Sequence, residues 1–207
     1  MLPSQPKIFH GRESEVSEIL QLFSLHCPRI AILGTGGIGK TTLARAIVHH
    51  QEISNRYKQY RAVVVCDSAT DKLELAALIG AHLGLKPGKD LTKAVLAHLS
   101  ASPPSLLVLD NLETVWEPVE YRGEIEGFLA LLTDIDHLAL VITMRGTERP
   151  AKVRWTRPFV LPLRPLEHAA AQQAFIEIAD SCHDPADVDK YIIPVGDREN
   201  NFDLSRL

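Results

Sequence analysis

Gly34-Thr35-Gly36-Gly37-Ile38-Gly39-Lys40-Thr41 reads as a glycine, four residues, then Gly-Lys-Thr, the spacing of a phosphate-binding P-loop. Glycines allow backbone angles that turn successive N–H groups inward, making a concave nest for phosphate oxygens. A helix starting near Lys40 would add its positive N-terminal end. From there the Lys40 ammonium can reach β- and γ-phosphates, and the Thr41 hydroxyl can ligate Mg²⁺. A chance match in a chain of 207 residues is expected about once in a hundred chains or fewer, given average glycine usage. The flanks agree: an apolar run ends at Leu33 and an Ala/Leu/Val-rich stretch follows Thr41.

Working outward, five short apolar runs predict strands: Ile30 to Leu33, Ala62 to Cys66, Leu106 to Leu109, Leu138 to Thr143 and Phe159 to Leu161. They are continuous rather than alternating, as expected of strands buried on both faces of a parallel sheet. Helical patterns separate them. Glu13 to Leu25 carries Val16, Ile19, Leu20 and Phe23 at helical spacing, and Thr41 to His50 follows the loop. Leu73 to Leu85 comes next, then Leu91 to Leu99, which Asp90 is placed to cap. Ile125, Phe128, Leu129 and Leu132 form an i, i+3, i+4, i+7 stripe, and Leu166 to Asp180 carries Ala171, Ala174, Phe175 and Ile178 on one face. Strand and helix alternate, so the expected fold is an α/β three-layer sandwich around a five-stranded parallel sheet. Residues 1–7 read as a Pro-containing linker, 8–164 as the main domain and 165–180 as the first helix of a further helical subdomain. Residues 181–207, rich in Asp and Asn, are expected to be loosely ordered.

Composition excludes several classes. Hydrophobic residues make up 45% and the formal charge is -4, which offers no field for nucleic acid or an anionic membrane. No run approaches the roughly 18 apolar residues of a membrane span, and the N-terminal residues lack an apolar signal core. Cys27, Cys66 and Cys182 are odd in number and far apart, as reduced thiols of a cytoplasmic or nuclear protein would be. His49-His50 do not share a helix face, and Cys182-His183-Asp184 lacks partners at zinc-ligand spacing. Lys7, Arg12, Arg56, Lys58 and Arg61 read as a solvated basic face, and Trp116 and Trp155 as covers for the sheet edge or a subdomain contact.

Two further positions point at the phosphate site. Leu106-Leu-Val-Leu-Asp110 is an apolar strand ending in an acid, placed to support Mg²⁺. Arg145 follows the Leu138 to Thr143 strand, at the carboxyl end where ligands of open α/β sheets bind, and there it can pair with a γ-phosphate.

Together these pieces resemble the NB-ARC/NACHT group of STAND P-loop ATPases, the nucleotide switches of NOD-like receptors, in wording closest to fungal members. Ile8-Phe9-His10-Gly11-Arg12-Glu13 resembles the group's Gly-Arg-Glu motif, and Gly34 to Thr42 with Leu43-Ala44 its P-loop. Leu106 to Asn111 resembles the Walker B strand, Val141-Ile-Thr-Met-Arg145-Gly146 the sensor segment, and Leu163-Arg-Pro-Leu166 the entry to the helical subdomain. The resemblance implies ATP or ADP with Mg²⁺, Thr41 and Asp110 as metal ligands, and an extra strand between the P-loop and Walker B strands. It implies nucleotide contacts at Phe9, Gly11, Arg12, Gly34, Gly36, Gly37, Ile38, Gly39, Lys40, Thr41, Thr42, Asp110 and Arg145. Arg145 becomes a sensor of the γ-phosphate, and Glu113 a base that orients water. Asn111 stands where many members carry a second acid, and the family's Gly-Leu-Pro motif is not recognisable after Asp180. The pattern is that of a truncated form, expected to bind nucleotide and hydrolyse it slowly or not at all. Self-association or signalling partners are implied for the full-length protein, with neither nucleic acid nor membrane. An active ATPase or small-molecule kinase is the competing reading, and a module that binds nothing is a third.

Overall fold

The computed structural model describes residues 2–25 and 27–178. Twelve elements follow along the described chain: α1 (Glu13–Phe23), β1 (Arg29–Gly34), α2 (Lys40–His49), α3 (Gln51–Tyr57), β2 (Arg61–Val65), α4 (Lys72–His82), α5 (Leu91–Ala101), β3 (Ser105–Asp110), α6 (Glu113–Trp116), α7 (Val119–Thr133), β4 (Leu138–Arg145) and α8 (His168–Ile178). The strands form one parallel sheet in the order β1-β4-β3-β2. So β4, last in sequence, lies between the P-loop strand β1 and β3, which ends in Asp110. This is the inserted strand the resemblance implied.

Side chains of a strand alternate between its faces, and here both faces are covered. Ile30, Ile32, Leu106, Val108, Ala139 and Val141 pack with buried residues of α1, α2 and α3. Ala31, Leu33, Leu107, Leu109, Leu140 and Ile142 pack with α4, α5 and α7. The stripe Ile125, Phe128, Leu129 and Leu132 is buried throughout, each residue at most 1% exposed. Such burial stabilises by roughly 1.5–3 kcal/mol per large side chain. Asp90 caps α5 as expected, accepting from Lys93 N at 3.3 Å.

The expected fifth strand is absent: the sheet has four. Phe159 to Leu161 lies between Pro158 and Pro162, which lack the N–H groups a ladder needs. Val160 and Leu163 are buried while Phe159 and Leu161 are exposed, and Val160 O accepts from Arg149 Nη2 instead. This strap still shields β1, through Thr156 N to Arg29 O at 3.0 Å and Leu163 N to Leu33 O at 2.8 Å. The short helix α3 adds to the expected pattern, and a second short helix, α6, begins at Glu113. His50 is the N-cap of α3, its ring accepting from Glu52 N at 3.4 Å, so it does more than end α2.

Of the basic residues expected on a solvated face, Lys7, Arg56 and Lys58 are exposed and Arg61 is half-buried, while Arg12 departs from it. Arg56 bonds the carbonyls of Phe23 and Leu25, and Arg61 those of Lys58 and Val48. Arg12 is only 5% exposed. Trp116 is buried with its indole N–H on Glu126 Oε1 at 3.2 Å, whereas Trp155 is half-buried and donates to Pro150 O at 2.9 Å. The segment 181–207, with Cys182, His183 and Asp184, lies outside the described residues.

Candidate nucleotide-binding site

The loop from Gly34 to Lys40 joins the carboxyl end of β1 to the N-terminus of α2. Gly39 is the N-cap of α2 at φ 93°, and an added Cβ would meet nothing within 4 Å. Glycine is required there by backbone angle alone. Gly34 is different: a Cβ would meet Ile38 Cγ2 at 3.1 Å and Leu163 Cβ at 3.3 Å, so the strap closes over it. Lys40 is 9% exposed and its Nζ donates to Gly34 O at 3.1 Å and Thr35 O at 2.8 Å. Burial lowers its pKa from the ordinary lysine range and the Arg145 charge adds to this, while Glu113 and Asp110 oppose it.

The register β1–β4 sets Gly34 beside Arg145, and β3 delivers Asp110 from the next strand but one. Asp110 is 4% exposed. Its Oδ1 accepts two hydroxyls, Thr41 at 2.9 Å and Thr143 at 2.6 Å. Thr143 also accepts from Asn111 N at 2.9 Å, which steadies a residue at φ 62°. This role of Thr143, beyond ending the apolar run Leu138 to Thr143, depends on β4 lying beside β3. The available signal was a hydroxyl within an otherwise apolar strand.

Arg145 and Glu113 meet at the mouth of the loop. Arg145 Nε lies 3.1 Å from Glu113 Oε1, with side-chain exposures of 65% and 6%. The two groups attract as charges without an aligned hydrogen bond, and neither Glu113 oxygen has a hydrogen-bond partner among the described residues. A Cβ on Gly36 would lie 3.7 Å from the Arg145 guanidinium carbon, so this cation sits over the phosphate loop. Glu113 begins α6 and is buried.

The structure therefore gathers Gly34, Gly36, Gly37, Ile38, Gly39, Lys40, Thr41, Asp110, Glu113 and Arg145 in one place. Thr42 is half-buried on the first turn of α2. The N-terminal motif lies to one side: Phe9 packs against the core of α1–α3, Gly11 against Leu166 and Ala170, and Arg12 against loop and strap carbonyls. The donor set suits a Mg-nucleotide. Hydroxyl and carboxylate oxygens are hard ligands of the kind Mg²⁺ takes, and positive-φ glycines with a lysine suit phosphates.

A parallel sheet with this strand order, a phosphate loop after its edge strand and an acid ending the next strand but one defines a P-loop NTPase. The family model for Novel STAND NTPase 1 (nSTAND1) matches residues 2–154, and the chain belongs to that family. Disease resistance protein RGA4 of Solanum bulbocastanum is 30% identical over 82% of this chain and 18% of its own length. The WD repeat-containing protein alr2800 of Nostoc is 27% identical over 80% of this chain and 15% of its own. The chain thus spans under a fifth of either relative. Among solved structures, Aeropyrum pernix Orc1, determined in complex with DNA, superposes with TM-score 0.68 at 15% identity, covering 85% of this chain and 51% of that one. A Pyrococcus horikoshii STAND protein with a tetratricopeptide repeat sensor gives TM-score 0.54 at 18% identity, covering 91% and 28%. At these identities the structural likeness concerns the fold.

Proposed function

We propose that this chain is the Mg²⁺-ATP/ADP-binding module of a STAND-type signalling switch that hydrolyses slowly or not at all. The observation that carries the reading is the bond from Thr41 to Asp110 beside the loop, which puts both candidate Mg²⁺ ligands on one side of the phosphate nest. Backbone N–H groups of the loop and the Lys40 ammonium take the phosphate oxygens. Thr41 and Asp110 hold the metal, which when bound neutralises phosphate charge. Arg145 faces the γ-phosphate, and Glu113, with a partnerless Oε2, is the acceptor for an attacking water. Hydrolysis is slow because that carboxylate is engaged by Arg145.

Switching rather than turnover is supported by the relatives, which carry a sensor or a disease-resistance name on much longer chains. Signalling partners, self-association and a cytoplasmic setting belong to the same proposal. So does the lack of nucleic-acid or membrane partners, supported by the net charge of -4. No described helix is long and apolar enough to cross a membrane. The test is a thermal-shift and calorimetric titration with Mg-ADP and Mg-ATP. Both should stabilise the protein, and Lys40→Ala should lose the response. Unchanged Mg-ADP affinity in that variant defeats the assignment, and turnover of about one per second with a small acceptor would favour a kinase instead.

A further inference from the structure

His10 and Gly11 touch α8, and Arg12 beside them holds both the phosphate loop and the chain leading into α8. His10 Nε2 lies 3.0 Å from Glu177 Oε1 near the far end of α8. Gly11, at φ 67°, approaches so closely that a Cβ would collide with Ala170. Arg12 reaches furthest. Its Nη1 donates to Glu15 Oε1 at 2.6 Å, and its Nη2 to Ile38 O at 3.1 Å and Arg164 O at 2.7 Å.

Ile38 belongs to the phosphate loop, and its C=O shares a rigid peptide plane with the Gly39 N–H. By holding that oxygen, Arg12 sets the direction of a phosphate-nest donor from behind. The other hydrogen of the same nitrogen holds Arg164, four residues before α8. A guanidinium is a rigid fork with donors in fixed directions, so the two carbonyls cannot move independently while both bonds last. We infer that Arg12 is a positioning residue that couples phosphate-loop geometry to the docking of α8, so that bound nucleotide and docked α8 stabilise each other. Its exposure of 5% and three protein acceptors leave it engaged by the protein itself. Glu15 keeps the head in register; burial pushes its carboxyl up, but the bonds from Ser14 and Arg12 and the Arg12 charge help to bring it below the usual carboxylate range.

The inference rests on the nucleotide-binding reading, and coupling of this kind is reciprocal. Hydrogen exchange over residues 165–178 is measured in the full chain, with and without saturating Mg-ADP, for wild type, Arg12→Gln and Arg12→Lys. In wild type, Mg-ADP should slow exchange of α8. Arg12→Gln should bind Mg-ADP about tenfold more weakly, the scale of one structural hydrogen bond, and bound nucleotide should no longer slow α8. Arg12→Lys keeps the charge beside Glu15 and a folded protein, yet should also uncouple the two sites, because an ammonium lacks the fork. If wild type binds Mg-ADP but α8 is unaffected, or if Arg12→Lys retains the full nucleotide-dependent protection, the coupling is refuted while the binding reading stands. If wild type binds no Mg-ADP, both fall together.

Discussion

Replacing Thr143 with valine swaps a hydroxyl for a methyl of nearly equal volume at a position 1% exposed. Packing is retained, so the change isolates two hydrogen bonds. The first, Thr143 Oγ1 to the carboxylate Oδ1 of Asp110 at 2.6 Å, is of the kind worth about 1.5–3 kcal/mol. The second, from Asn111 N at 2.9 Å, would leave a part-buried N–H unpaired at a cost of about 1–3 kcal/mol. The two share one hydroxyl and do not simply add, so the expected loss of stability is about 2–4 kcal/mol. Thr143→Ser keeps the hydroxyl and should cost less than about 1.5 kcal/mol, through the missing methyl alone. Urea unfolding of the three proteins reads this directly. A second effect separates positioning from stability. Freed of one of its two threonine donors, Asp110 should present its carboxylate less consistently, and the Mg²⁺ concentration for half-maximal nucleotide binding should rise about tenfold, the equivalent of one such bond. Thr143→Ser should leave it near wild type. A valine variant within about 0.5 kcal/mol of wild type, with unchanged Mg²⁺ dependence, would refute the role given to Thr143.

Two further outcomes follow from the charges of the site. Burial gives Lys40 a folded-state pKa below its unfolded one, so the penalty is fully present below the folded value, and between the two values the unfolded chain binds more protons and stability rises with pH. Lys40→Met should therefore raise the melting temperature more at about pH 7 than at about pH 10, and an equal or absent gain would contradict the stated direction. Glu113→Gln removes the charge that engages Arg145. Since an exposed pair is worth at most about 1 kcal/mol, affinity for Mg-ATP relative to Mg-ADP should rise by up to about fivefold while hydrolysis is lost; a fall in that ratio, or retained hydrolysis, counts against the pairing.

Much of this site was legible because its determinants are local. The loop glycines declare their backbone angles within eight residues, and Asp110 declares itself by ending an apolar run. Both α/β layers followed from continuous apolar strands and the clean stripe on α7. What escaped reading was non-local or masked by composition. Thr143 matters only because β4 lies beside β3, a pairing of residues 33 apart. Arg12 reads as a surface cation from composition because two of its three acceptors lie 26 and 152 positions away. The run Phe159 to Leu161 misleads for a different reason: its hydrophobicity reads as a strand, while Pro158 and Pro162 lack the N–H groups a ladder needs. α3 was overlooked because two apolar residues, Ile53 and Tyr57, are its whole buried face.

On the proposed reading, the balance of charges also determines how one pocket separates two nucleotides. Lys40 and Arg145 offset Asp110 and Glu113, and the two pairs respond differently to an added phosphate. Arg145, largely exposed, can turn toward the loop at little cost. Glu113 has no such freedom, since at 6% side-chain exposure the loss of Arg145 would leave a buried carboxylate unpaired. Because Arg145 is largely exposed, parting the pair is worth at most about 1 kcal/mol in favour of ADP, the scale on which Glu113→Gln should act. ADP asks for no such exchange. The resting pocket accordingly favours ADP, and ATP is accommodated only as water or protein groups resolvate Glu113. That same requirement draws a water toward Glu113, so the carboxylate becomes a hydrogen-bond acceptor for the nucleophile only in the state that carries a γ-phosphate.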